Sequence, residues 1–233
     1  IFNIILENKA DGVLIAGDVY DKGIPSAEAV ELFDSFLSRL SERKIKVFII
    51  SGNHDSGTRL SFGNKILDKS DIYIEGEFSG SLKCVRLKDE FGNINVYMLP
   101  FVRPSNVTPY FDDIVTYNDA VSRIISTTHL NPLDRNIILS HQFVTGRMEK
   151  PETSDSEILS VGGTDEVYYE NYINFDYVAL GHIHKCQRIG KDEIMYAGSP
   201  LKYSFSEVMH TKSVILLDLK EKGNVIITRI PLT

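Results

Sequence analysis

The chain has 233 residues, 42% of them hydrophobic, enough to fill one large core or two small ones, and a formal net charge of −7. That acidic balance argues against a surface that holds nucleic acid by charge alone, and the two cysteines, Cys84 and Cys186, exclude a disulfide framework and form no zinc-binding spacing. No apolar run approaches the roughly 20 residues that span a bilayer and no signal peptide is visible, so a reducing cytoplasm, away from membranes, is the expected compartment.

In chain order, Ile1 to Leu6 reads as the last turns of an amphipathic helix leading into the Asp11-Gly12 turn. There is no initiator methionine, and a missing N-terminal strand is expected before Ile1. Val13-Leu14-Ile15-Ala16 is a buried strand running into Gly17-Asp18-Val19-Tyr20-Asp21. Ile24-Pro25-Ser26 opens a helix to about Leu40, with Val30, Phe33, Leu37 and Leu40 on one face. Val47-Phe48-Ile49-Ile50 follows as a second buried strand and ends in Gly52-Asn53-His54-Asp55. Strand, helix and strand make a βαβ unit, whose functional side chains belong at the carboxyl ends of its strands.

Ile72 to Ile74, Cys84 to Leu87 and Ile94 to Leu99 read as strands, the last two joined at Asp89-Glu90-Phe91-Gly92-Asn93. A helix from about Asn118 to His129 carries Val121, Ile124 and Ile125 and stops before Pro132. Ile137 to Ser140 runs into His141, and Tyr177 to Leu180 into Gly181-His182-Ile183-His184. Between them, Thr145 to Glu166 is polar and too long for an idle connector. The chain ends in two β-hairpins, Gln187 to Ile189 with Met195 to Ala197 around Gly190-Lys191-Asp192-Glu193, and Ser213 to Asp218 with Val225 to Ile230 around Gly223-Asn224.

Four strand ends therefore deliver carboxylate, amide and imidazole groups to one edge. Oxygen and imidazole donors without thiolate suit manganese, magnesium, iron or zinc in a reactive site. Asp18 is the natural bridging ligand, Asn53 offers a carbonyl oxygen, and His141, His182 and His184 offer imidazole nitrogens. The single residue between His182 and His184 lets a turn aim each at a different ion. Two ions about 3.5–4 Å apart clamp both oxygens of an in-line phosphoryl displacement. His54 is better placed as the acid for the leaving oxygen, with Asp21 holding its other nitrogen, while Asp55 braces the turn. Arg59 and Arg103, shortly beyond strand-end turns, are candidate phosphate contacts against a background of ordinary solvated arginine. Cys186 reads as a small buried residue, and His129 and His210 as solvent-facing.

These motifs resemble the calcineurin-like metallophosphoesterases. That family's series is Asp-x-His, then Gly-Asp-x-x-Asp, Gly-Asn-His-Asp, a lone histidine and Gly-His-x-His; every motif but the first is present. The resemblance implies a four-layer α/β/β/α sandwich, here N-terminally truncated, with residues 1–233 as one metallophosphoesterase nuclease domain. Without Asp-x-His, one metal ion or none is expected in this stretch, and its activity is in doubt.

Further segments resemble the family of SbcD nuclease subunits: His141 to Gly146, Ser154 to Glu157, Ser160 to Gly163, Asp176 to His182 and Gly198 to Glu207. That resemblance implies two divalent ions, with manganese the preferred metal, exonuclease action on duplex DNA ends, endonuclease action on hairpins and single strands, an SbcC-type ATPase as partner, and a homodimer. A capping domain and partner-binding tail would follow Thr233. The competing expectations are a phosphoesterase for small phosphodiesters or phosphoproteins, and a non-catalytic scaffold of the same fold.

Overall fold

The computed structural model describes residues 1–157 and 165–232. Helix α1 (Phe2–Glu7), strand β1 (Gly12–Ala16), helix α2 (Ala27–Ser41), strand β2 (Lys46–Ile50), the short helices α3 (Gly57–Leu60) and α4 (Asn64–Leu67), and strand β3 (Ile72–Glu75) form the first half. Ser26 caps α2, accepting the Ala29 N–H at 3.3 Å, and Glu28 lies in the first turn, where the helix dipole favours a carboxylate. The three strands pair in parallel in the order β1-β2-β3.

The second half begins with the hairpin β4 (Lys83–Asp89) and β5 (Gly92–Leu99), followed by helices α5 (Pro104–Val107) and α6 (Tyr117–Thr127). Strands β6 (Arg135–Ser140), β7 (Phe143–Thr145), β8 (Glu166–Tyr168), β9 (Tyr177–Leu180), β10 (Gln187–Ile189), β11 (Lys191–Tyr196), β12 (Ser213–Leu219) and β13 (Val225–Pro231) follow. Six of these strands make one sheet in the order β10-β11-β9-β6-β5-β4, parallel through its four inner strands and antiparallel at both edges. The short strands β7 and β8 pair in parallel, and β12 with β13 forms an antiparallel hairpin.

Alternation along the strands sorts the side chains into layers. Val47 and Ile49 of β2 pack towards α1 and α2, with Phe2, Ile5, Leu37 and Leu40. Phe48 and Ile50 point the other way and meet Val96, Met98, Ile137, Leu139 and Ala179 of the second sheet. Tyr97, Leu99, Ile138, Val178 and Leu180 leave that sheet's outer face and bury Val121, Ile124 and Ile125 of α6. The result is a helix–sheet–sheet–helix sandwich. Strands covered on both faces read as continuous apolar runs, as these do.

Four local features differ from expectation. Val30 is 43% exposed, because α2 buries its stripe only from Phe33 onward and fully only at Leu37 and Leu40. Gly190, at φ 68°, makes the β10–β11 turn with β11 already begun at Lys191, in place of the longer turn the sequence suggested. The Nδ1 of His210, expected in solvent, is buried, whereas His129 is exposed. The β7–β8 pair was not foreseen, and the segment Ser160 to Gly163 lies outside the described residues. No helix among the described residues is long and apolar enough to cross a membrane.

Candidate metal centre

The two sheets stack so that β1 and β2 end beside β6 and β9. Past Ala16 the backbone enters the left-handed region at Gly17 (φ 87°) and Asp18 (φ 49°), which turns the Asp18 carboxylate across the end of β2. A Cβ at Gly17 would run into the His141 ring, and one at Gly52 into the Asp18 carboxylate, so close approach requires glycine at both. Asp55 ties the two turns together: its carboxylate accepts the N–H groups of Val19 at 3.1 Å, Tyr20 at 3.0 Å and Gly52 at 2.8 Å.

Four predicted groups meet here. Asp18 Oδ1 accepts the His54 N–H at 3.0 Å, and its Oδ2 lies 3.1 Å from His141 Nε2. Asn53 Oδ1 lies 3.1 Å from His141 Nε2 and 3.0 Å from His182 Nδ1. Potential ligand atoms of Asp18, His141 and His182 all fall within 4.8 Å of one another.

The proton inventory explains what such a cluster attracts. His141 Nδ1 is 2.6 Å from the Ala16 carbonyl oxygen, which only accepts, so the proton of the neutral ring sits on Nδ1. Nε2 then presents a lone pair to a carboxylate oxygen and an amide oxygen, and all three are acceptors. A cation relieves that crowding.

The other protonation states agree. Burial pushes the His182 pKa down, helped by the neighbouring His141 and only partly opposed by Asp18, to about 3, so the ring is neutral. Burial alone would raise the Asp18 pKa, but the His141 ring, where it takes a second proton on Nε2 in acid, and the His54 N–H outweigh it and bring it to about 2. Ionised carboxylate and neutral imidazole are the forms that bind a metal. A divalent cation therefore fits this donor set.

His184 stands apart from that group. Its Nδ1 lies 2.8 Å from Ser156 Oγ and 3.0 Å from Glu207 Oε1, and its main-chain N–H donates to Glu157 Oε1 at 2.6 Å. Both ring contacts use Nδ1, so Nε2 is the nitrogen that can face a ligand. His184 and His54 are close enough to His182 for a charge on either ring to disfavour one on His182.

The His54 side chain differs in detail from expectation. Its Nδ1 is 3.0 Å from the main-chain carbonyl of Asp21, while the Asp21 carboxylate is 84% exposed and faces Lys22 at 3.8 Å. A carbonyl oxygen fixes a histidine tautomer as well as a carboxylate does, without adding a charge.

Of the two arginines, Arg103 flanks the site. Its guanidinium sits 5.5 Å from the Phe101 ring centroid, and that ring lies 6.4 Å from the His141 ring. Arg59 is exposed on α3. Cys186 is half-buried against the core between the sheets. Sequence reasoning gave no role to Ser156, Glu157, Glu207 or Lys212. The first two and Glu207 lie in segments it noted, but no spacing connects them to His184.

Two stacked sheets with carboxylate, amide and imidazole donors gathered at their strand ends define the class of metal-dependent phosphoester hydrolases. The family model described as calcineurin-like phosphoesterase matches residues 1–186, and the chain belongs to that family, whose members use divalent metals. It is 34% identical over 232 residues to the SbcD subunit of the nuclease SbcCD from Staphylococcus epidermidis, an alignment covering 97% of this chain and 60% of that protein. The chain thus spans about 60% of the length of this curated relative. Among solved structures, phosphopantetheinyl hydrolase (PptH) from Mycobacterium tuberculosis aligns over 84% of each chain at 10% identity, with a TM-score of 0.45.

Proposed function

We propose that residues 1–233 form the nuclease domain of an SbcD-type subunit that hydrolyses DNA phosphodiesters. The observation that carries the reading is the proton-poor cluster of Asp18, Asn53, His141 and His182, in a chain related along almost its whole length to a nuclease subunit. In this reading Asp18 would help to hold two divalent ions, with manganese preferred. Asn53, His141 and His182 would complete one position, and His184 would contribute to the other. Bound there, the ions would polarise the phosphoryl group and lower the pKa of water to supply the nucleophile.

The remaining steps belong to side chains. His54, its Nδ1–H held by the Asp21 carbonyl, presents Nε2 to the leaving oxygen and, as the imidazolium with a second proton on Nε2, acts as the proton donor. Arg103, backed by Phe101, and Arg59 are the candidate contacts to flanking phosphates. The proposed substrates are duplex ends, hairpins and single strands. An SbcC-type ATPase is the proposed partner, a homodimer the proposed assembly, and cytoplasmic DNA recombination and repair the setting.

The test is cleavage of an end-labelled hairpin DNA by the purified protein with Mn2+, in competition with a chromogenic phosphodiester. Preferential hairpin cleavage, lost in His182→Ala, supports the nuclease reading. Hydrolysis of the small phosphodiester with DNA untouched would replace it with the small-substrate alternative.

A further inference from the structure

Glu207 is fully buried, although it ends a short helical turn, Phe205–Glu207, whose first residue is 97% exposed. Its Oε2 meets Lys212 Nζ at 2.5 Å, and Lys212 is itself buried. Its Oε1 lies 3.0 Å from His184 Nδ1, 3.2 Å from Ser154 Oγ and 3.3 Å from Ser204 Oγ, and also accepts from the Ser156 hydroxyl. The Lys212 ammonium donates further to the His184 main-chain carbonyl at 2.9 Å and to Ser199 Oγ at 2.8 Å. One ion pair therefore grips His184 by both ring and backbone.

Stability alone accounts poorly for this arrangement, since the desolvation of a buried ion pair largely cancels its attraction. The proton inventory points to His184 instead. Glu207 is an acceptor, and the Ser156 hydroxyl directs its single proton to Glu207, so both neighbours of His184 Nδ1 accept. The ring proton must then sit on Nδ1. The Tyr203 ring, with its centroid 5.5 Å from that of His184, packs beside the imidazole.

We propose that Glu207, clamped by Lys212, is the positioning residue for His184: it accepts the Nδ1–H, fixes that tautomer and aims Nε2 towards the cluster of Asp18, Asn53, His141 and His182. This deepens the metal-ligand reading of His184 and rests on it. Outer carboxylates of this kind set the tautomer and orientation of ligating imidazoles.

Two variants test the proposal in the metal-free protein, by long-range 1H–15N NMR of the imidazoles, and by calorimetry with Mn2+. Glu207→Asp keeps the charge beside Lys212 but withdraws the carboxylate from the ring. The pair Glu207→Gln with Lys212→Met removes both charges at similar volume. The expected result is an Nδ1-protonated His184 in the parent, a mixture of tautomers in the variants, and Mn2+ affinity lower by about 10–100-fold at the weaker position, to which His184 contributes. Either variant that stays folded by circular dichroism decides the matter, and an unchanged tautomer or unchanged Mn2+ affinity at that weaker position overturns the proposal. Unfolding of both would overturn it as well, by making the ion pair a structural clamp. If the parent takes up no Mn2+, the metal reading fails by itself, while the tautomer still reports whether Glu207 sets His184.

Discussion

His141 Nδ1 and the carbonyl oxygen of Ala16 lie 2.6 Å apart across 125 residues of chain, joining the end of β6 to the end of β1. This one bond crosses from the second sheet to the first, fixes the His141 tautomer and turns Nε2 towards Asp18 and Asn53. The site consequently depends on how the two sheets are stacked.

Gly17 is the tightest point of that junction. Gly17→Ala places a Cβ against the His141 ring and strains a backbone at φ 87°. We expect a loss of about 1–3 kcal/mol of stability, together with weakened Mn2+ binding, in urea unfolding and calorimetry of the same variant. Parent-like values in both would mean that the junction is loose.

Metal uptake should be unequal. Asp18, Asn53, His141 and His182 are already gathered, whereas His184 is set apart. A calorimetric Mn2+ titration is therefore expected to resolve one tighter ion, which His182→Ala abolishes and His184→Ala leaves in place. Equal loss in the two variants would merge the positions into one.

His54→Ala and His182→Ala should fail differently. Loss of a proton donor typically costs about 10²–10⁴-fold in rate, with the metal ligands untouched. Loss of His182 should lower metal affinity itself, and excess Mn2+ should restore part of the activity. If His54→Ala loses Mn2+ as severely as His182→Ala, His54 is a ligand and the donor must be sought elsewhere.

Acid should weaken the metal-free fold from a defined pH. Unfolded, His182 takes a proton near 6.5; folded, it stays neutral down to about 3. Between those values the unfolded chain binds more protons, so stability falls as pH drops through the window. Asp18 adds a lower step, since its folded pKa of about 2 lies under the ordinary 3.8, and its contribution is lost as pH falls through that range. Thermal unfolding after chelation, followed from pH 7.5 to 4, should show the decline in the parent and a flatter course in His182→Asn.

Arg135 anchors the last hairpin to the second sheet. Arg135 is 2% exposed, and its guanidinium pairs with Asp89 and donates to the carbonyls of Leu219 at 3.3 Å, Lys220 at 3.0 Å and Gly92 at 2.9 Å. Arg135→Met should cost about 2–3 kcal/mol by urea unfolding, because those carbonyls lose their donor in a partly buried place. Mn2+ affinity should hardly change, since the anchor lies outside the metal cluster.

Much of this protein was legible in its sequence. Val47–Ile50, Ile137–Leu139 and Tyr177–Leu180 are apolar without alternation, which two-sided burial demands, Val13–Ala16 is a similar run on a half-buried edge strand, and each leads to a strand end bearing Asp, Asn or His. Open α/β sheets place such groups at the carboxyl ends of strands, so the convergence of Asp18, Asn53, His141 and His182 followed from local pattern. Tertiary structure alone decided the partners. That His54 leans on the carbonyl of Asp21, that Val30 stays in solvent, and that Glu207 and Lys212 enclose His184 all depend on how separate layers and loops dock. A period of two residues tells a strand which face to bury. It carries no information on which atom, 23 or 125 residues away, will stand opposite once the layers close.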